Sequence, residues 1–196
     1  MERNYLEEGK KNSARLGAHL IFIDESGFML TPSVRRTWAP VGQTPVVRHH
    51  FANDRISVIS GISVSPLRHR LGLYGLFFRD NIGQDEVAAF LRVVLHHLRG
   101  HVIALLDNSI THRGSMIRRL CKEIPRLRLE YFPPYAPELD PDEGVWKQLK
   151  DALANGRAGD IQELESDLAN EFRQLAHSPS RLRGCFHASD LPFYFG

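Results

Sequence analysis

The chain has 196 residues, 42% of them apolar and 24% charged, which suits one compact domain with a sizeable core rather than a disordered or fibrous chain. No apolar run is long enough to cross a bilayer, the charged stretch from Met1 to Lys11 lacks the apolar centre of an export signal, and two cysteines, Cys121 and Cys185, argue against a disulfide scaffold or a Cys-paired zinc site. A cytosolic protein without membrane partners is expected. The net charge of +2 is unevenly spread: six arginines between Arg35 and Arg70 face the single acid Asp54, six basic residues between Arg113 and Arg128 face only Glu123, and ten acids fall between Glu138 and Glu171. Basic stretches flanking acidic ones suit a polyanion held near a metal-dependent site, although ordinary solvated surface gives the same pattern.

Residues 1–18 are polar with isolated leucines and read as an N-terminal arm. His19 to Asp24 is an unbroken β-prone run, and Ser26 and Gly27 after it supply turn chemistry. The stretch from Arg35 to Pro45 is too rich in Pro and Gly for a helix. Within this loop Trp38 is expected to anchor in the core, with a substrate-stacking role as the alternative. Arg55 to Val64 and Leu71 to Phe78 form an antiparallel hairpin, and the out-of-step Ile59 and Gly61 suggest a bulge in it.

The period changes to helical at Val87, Phe90, Leu91, Val94, Leu95 and Leu98, and stops at Gly100. A fourth strand, His101 to Leu106, runs into Asp107. A short helix follows with Met116, Ile117, Leu120 and Cys121 inward, then a fifth strand, Arg126 to Phe132, and the rigid connector Pro133 to Pro137. Asp140 to Glu143 opens a helix carrying Val145, Trp146 and Leu149, and a last helix starts near Asp160; the aromatic tail from Leu191 to Phe195 suits docking or packing. The order β-β-β-α-β-α-β-α-α predicts an α/β, ribonuclease-H-like fold, a mixed five-stranded sheet with helices on both faces. A doubly wound nucleotide-binding fold is disfavoured, because no glycine-rich phosphate loop follows any strand.

Runs that are apolar on both faces mark the strands ending at Asp24 and Asp107 as central. If those strands are parallel neighbours, both carboxylates emerge side by side where the strands leave the sheet, at its C-terminal edge. Two carboxylates about 4 Å apart repel by roughly 4 kcal/mol at an effective dielectric of 20, so such a pair needs a proton or a cation between them. Hard oxygen ligands favour Mg2+ or Mn2+, and two such ions can activate a nucleophile and stabilise the leaving oxygen in phosphodiester chemistry. Asp140, Asp142 and Glu143 are candidates for a third carboxylate. A capping box, with Asp140 as N-cap and Glu143 three residues on, accounts for the same residues. A helical wheel turns Asp142, not Glu143, toward the apolar stripe. The histidine pairs His49-His50 and His96-His97 lack the convergence of a zinc site and are expected on the surface or in packing.

Taken together, Phe22-Ile23-Asp24-Glu25-Ser26-Gly27-Phe28, Leu106-Asp107-Asn108 with His112, and Pro134-Tyr135-Ala136-Pro137-Glu138-Leu139-Asp140-Pro141 leading to Glu143 and Trp146 closely resemble the catalytic domain of mariner-like DDE transposases, nearest the bacterial insertion-sequence 630 family. The resemblance runs from about residue 19 to the end, so residues 19–196 are expected to be the catalytic domain, and 35 residues separate Asp107 from Glu143, close to the family's interval.

The resemblance implies an enzyme, a transposase and endonuclease, that cuts transposon ends and joins them to target DNA at TA sites. Asp24, Asp107 and Glu143 would be its catalytic metal ligands, with two Mg2+ or Mn2+ ions per site, and Asp142 is the alternative third ligand. Asn108, His112, Arg35, Arg36 and Arg113 would contact DNA or support the ligands, although His112 taken alone looks like a surface histidine at a helix start. The implied partners are double-stranded DNA, both terminal inverted repeats and target, and a second copy on that DNA, in a bacterial cytoplasm at the nucleoid.

Two departures stand out. Asp140 replaces the family's usual asparagine and Asp142 its usual apolar residue. In addition only 23 residues precede Asp24, which leaves no room for the family's N-terminal helix-turn-helix region and suggests a separately encoded DNA-binding part. An inactive remnant acting as a DNA-binding or regulatory protein is the alternative function.

Overall fold

The two apolar runs that end on aspartates pair with each other at the middle of the sheet. The structure, a computed structural model, describes residues 16–30, 38–43, 54–66, 70–134, 136–154 and 158–191. Among these the elements run β1 (His19–Met29), β2 (Arg55–Val64), β3 (Leu71–Phe78), α1 (Gln84–His97), β4 (Val102–Leu106), a 3-10 turn (Ile110–Arg113), α2 (Ser115–Glu123), β5 (Leu127–Tyr131), a second 3-10 turn (Pro137–Leu139), α3 (Asp142–Ala152), α4 (Ile161–Ala176) and α5 (Pro179–Ala188). The sheet order is β3-β2-β1-β4-β5, antiparallel from β3 to β1 and parallel from β1 to β5. Among the described residues no helix is long and apolar enough to cross a membrane.

Both faces of the sheet are covered, and strand alternation divides the side chains between them. Leu20 and Phe22 join Ile56, Val58, Ile62, Ile103 and Leu105 under α3, α4 and α5, whose Val145, Trp146, Leu168 and Phe186 complete that core. Ile21 and Ile23 join Ile59, Ala104 and Leu106 under α1 and α2, against Phe90, Leu91, Ile117 and Leu120. Continued past the apolar runs, the same alternation assigns Asp24, Ser60 and Asp107 to the α3 face and Glu25 to the opposite one.

Several expectations are corrected. β1 does not turn at Asp24. It continues to Met29 because β2 pairs with it throughout, from Leu20 opposite Val64 to Met29 opposite Arg55. The β2 register is unbroken at Ile59 and Gly61, so there is no bulge: Ile59 is simply buried on the second face. Gly61 serves close packing, since a Cβ there would lie 2.7 Å from Ile21 Cδ1 and 3.1 Å from Phe90 Cζ. Met116 is 45% exposed, leaving Ile117 and Leu120 as the buried pair of α2. Trp38 is fully exposed rather than anchored. Arg35, Arg36, His49, His50 and the tail beyond Leu191 lie outside the described residues, as does most of the expected arm. Gly100 has the expected left-handed conformation, φ +82°, and Asp160 caps α4 by accepting from the Glu163 amide at 2.8 Å.

Helix α5 is an addition to the expected order. It starts with Pro179 at its first turn and buries Leu182, Cys185 and Phe186. Its closest approach is to α3, where Gly144 faces the Cys185 backbone: a Cβ on Gly144 would sit 2.8 Å from Cys185 Cα. Gly144→Ala is therefore expected to destabilise the protein, because overpacking against backbone costs about 1–3 kcal/mol and exceeds the helix-propensity gain. Gly184, in α5 with nothing within 4 Å of its added Cβ, is expected to show the reverse, with Gly184→Ala gaining about 0.5–1 kcal/mol. Urea unfolding of both variants measures this, and a Gly144→Ala protein as stable as Gly184→Ala would contradict the packing.

Candidate active site

Parallel pairing of β1 with β4 ends at Ile23 opposite Leu106. The next residues, Asp24 within β1 and Asp107 just past the end of β4, therefore follow side by side at the point where the two strands part. Asp24, Asp107, Asp140 and Glu143 all line one cleft of about 440 Å³, whose other wall is built from Phe132 and the proline-rich connector.

Each carboxylate is held differently. Asp24 Oδ2 accepts a 2.8 Å hydrogen bond from the indole Nε1 of Trp146, on α3. Burial pushes the Asp24 pKa up to about 6, against the opposing effects of the Trp146 and Glu25-amide hydrogen bonds, and the negative charges of Glu25 and Glu143 add to the rise. Asp107 is 58% exposed, and its Oδ1 accepts from the Ser109 amide at 2.8 Å, closing a local turn. Asp140 is buried and its Oδ1 accepts from the Asp142 amide at 2.9 Å. Burial and then the charge of Asp24 hold the Asp140 carboxyl well above the usual carboxylate range.

The expected capping box is absent. α3 is entered through Pro141 with no side-chain cap, and Asp140 bonds the Asp142 amide instead. Glu143 is exposed on the cleft. Asp142 turns the other way, as the wheel predicted: it is fully buried, and its Oδ1 accepts from Ser60 Oγ at 2.7 Å. Its Oδ2 has no hydrogen-bond partner among the described residues. Burial, reinforced by the charge of Asp140, keeps this carboxyl well above its ordinary pKa.

His112 is completely buried, which overturns its reading as a surface histidine. Its Nε2 bonds Glu25 Oε1 at 2.8 Å, and its Nδ1 bonds the Asp107 carbonyl at 3.2 Å and lies 2.6 Å from Asp107 Oδ1 as an ion-pair contact. Since both ring nitrogens face oxygens that only accept, neither neutral tautomer satisfies both bonds, and the imidazolium does. Burial works against that charge, but the hydrogen bond and charge of Glu25, aided by Asp107, outweigh it and raise the pKa to about 9. Tyr131 Oη donates to the His112 carbonyl at 3.0 Å. Arg113 lies over the Tyr131 ring, 4.6 Å from its centroid, and donates to Asn108 Oδ1, while Asn108 Nδ2 donates to the Phe132 carbonyl at 3.3 Å. His97, away from the cleft, donates to the Val93 carbonyl at 2.8 Å.

The structure thus gathers Asp24, Asp107, Asn108 and Glu143 at one cleft, sets His112 behind Asp107, and leaves Asp142 beneath it. Among the described residues no three His, Cys, Asp or Glu side chains converge tightly enough to hold an ion as they stand. The donor set nevertheless fits a hard divalent cation: it is all carboxylate oxygen, and a positive charge would offset the burial, and after it the like-charge repulsion, that raise Asp24 and Asp140. The bonding roles of Trp146, Ser60 and Glu25 were missed from sequence, whereas Asp140, one of the three candidate third carboxylates, does line the cleft. Strand alternation carried the signal for Ser60 and Glu25, and the one-turn spacing from Glu143 carried it for Trp146.

The comparisons with known proteins agree with this geometry. A family model described as DDE superfamily endonuclease matches residues 19–165. The Tc1 transposase of Caenorhabditis elegans is 24% identical over 168 residues, covering 81% of this chain and 60% of that protein. The chain therefore spans somewhat less than two thirds of that relative. The catalytic domain of Mos1 mariner transposase superposes with a TM-score of 0.51 at 15% identity, over 98% of this chain and 95% of the other. The Mos1 mariner paired end complex with Mn gives 0.58 at 17% identity, over 98% and 62%. These likenesses make the fold ribonuclease-H-like, as the element order predicted. Because the matched segment holds the whole central sheet and every carboxylate of the cleft, the chain belongs to the DDE superfamily endonuclease family.

Proposed function

We propose that the protein is the catalytic part of a DNA transposase, which cuts the ends of a mobile element and joins them to target DNA at TA sites. The observation that carries this reading is the pairing of Ile23 with Leu106, which brings Asp24 beside Asp107 on the face where α3 presents Glu143. Asp24, Asp107 and Glu143 are the ligands in this reading, for two Mg2+ or Mn2+ ions. Glu143 is preferred to Asp142 because only Glu143 reaches the cleft. When bound, the ions would supply Lewis-acid stabilisation of charge on the phosphate and make a hydroxyl a better nucleophile.

The chain's own groups do the rest. His112 fixes Asp107 from behind and links it to Glu25 on β1, so both central strands hold the same imidazolium. Asn108 lines the cleft and Arg113 bonds to it, where a phosphate backbone would pass, and Arg35 and Arg36, outside the described residues, are further DNA contacts in this reading. Residues 19–196 are the catalytic unit in this reading. The partners are duplex DNA, a second copy bringing two ends together, and a DNA-binding region encoded with or beside this chain. An intact set of cleft carboxylates supports this activity over an inactive DNA-binding remnant.

The test is cleavage of duplex DNA carrying the element's ends, with Mn2+ or Mg2+ present. Asp24→Asn, Asp107→Asn and Glu143→Gln are each expected to abolish cleavage while retaining a cooperative unfolding transition; normal cleavage by any of the three would remove that residue from the site. His112→Ala is expected to lower cleavage about 10- to 100-fold, the usual loss when the group orienting a ligand is deleted. A loss smaller than threefold would show that Asp107 needs no such support.

A further inference from the structure

Trp146 lies one turn after Glu143 on α3 and is 2% exposed, with its ring edge-on to Phe28 at 6.1 Å. As a core residue it needs only the ring. Its indole N–H, however, is donated across the molecule to Asp24 Oδ2 at 2.8 Å, which engages one oxygen of a carboxylate that lines the cleft. Four residues earlier, on the same face of the helix, Asp142 accepts from Ser60. Ser60 and Asp24 are themselves cross-strand partners. Two neighbouring points of the sheet are thus keyed to two successive turns of α3 by polar bonds. Glu143 follows Asp142 by about 100° of helix rotation and so turns outward to the cleft. Rotating α3 to withdraw Glu143 would break both bonds.

We propose that Trp146 is a positioning residue of the site: its indole N–H holds the Asp24 carboxylate and locks α3 in the phase that turns Glu143 toward it. This rests on the reading of Asp24 and Glu143 as ligands, and it assigns the tryptophan a polar task that phenylalanine could not perform. Trp146 would act through Asp24 and Glu143, not on the substrate itself.

The experiment is indole 1H–15N NMR on the Trp38→Phe protein, in which Trp146 gives the one remaining indole resonance. A hydrogen-bonded, downfield signal is expected, moving clearly upfield in Asp24→Ala. An indole signal unmoved by Asp24→Ala would overturn the proposal. In the cleavage assay Trp146→Phe is expected to lower kcat about 10- to 100-fold with KM for DNA nearly unchanged, since an aromatic ring still fills most of the site while the N–H that positions a ligand is lost, and urea unfolding reads the cost of the smaller ring separately. Wild-type kcat in Trp146→Phe would likewise overturn it. Should Asp24→Asn and Glu143→Gln both cleave normally, the ligand reading fails, while the indole shift still decides the hydrogen bond by itself.

Discussion

Parallel pairing of β1 with β4 stops at Ile23 and Leu106, whereas β1 runs on beside β2 for six more residues. The sheet therefore has a step at its centre, with a continuing strand on one side and a chain turning away on the other. Asp24 and Asp107 occupy that step. Because side chains alternate along a strand, both fall on the α3 face together with Ser60, and Glu25 falls on the face where His112 waits. Shifting the register of either strand by one residue would send one aspartate to the opposite face and leave no shared cleft.

The step concentrates negative charge that the fold only partly compensates. Asp24, Asp140 and Asp142 are all raised by burial, and among the described residues only His112, shared between Glu25 and Asp107, answers with a buried positive charge. A core chosen for stability alone would replace such carboxylates with apolar groups. Perturbed acids clustered in a cleft mark a place where function has been kept at the expense of stability. Helix α3 answers the crowding geometrically. Asp142 goes under the sheet edge to Ser60, Glu143 goes to the cleft, and the indole of Trp146 occupies the gap between helix and Asp24.

Most of the sheet was legible in the sequence because its central strands are apolar on both faces and its helices carry clean stripes. What misled was polarity read as exposure. Glu25 and Ser26 looked like the start of a turn, yet β1 continues through them, since Glu25 faces a buried histidine rather than water. His112 looked like surface for the same reason. Asp140 and Glu143 at capping distance imitated an N-cap, although the acid at 140 belongs to the cleft wall. Trp38 and Met116 erred the other way, as apolar residues expected inside and found exposed. Helix α5 carries three buried apolar residues in ten, too few to announce itself, and is defined by its fit against Gly144. Among the candidate ligands, periodicity singled out Asp142 as inward-facing, and that was correct. What periodicity could not tell is that the inward direction leads away from the cleft.

The central claim is that carboxylates brought together at this step jointly bind a divalent cation when DNA is present. The most direct measurement is a calorimetric titration of Mn2+ into the protein bound to a duplex carrying the element's ends, comparing the wild type with Asp107→Asn. The account predicts saturable binding in the wild type and at least about tenfold weaker binding in the variant, as expected for loss of an anionic ligand. Superimposable isotherms would contradict it.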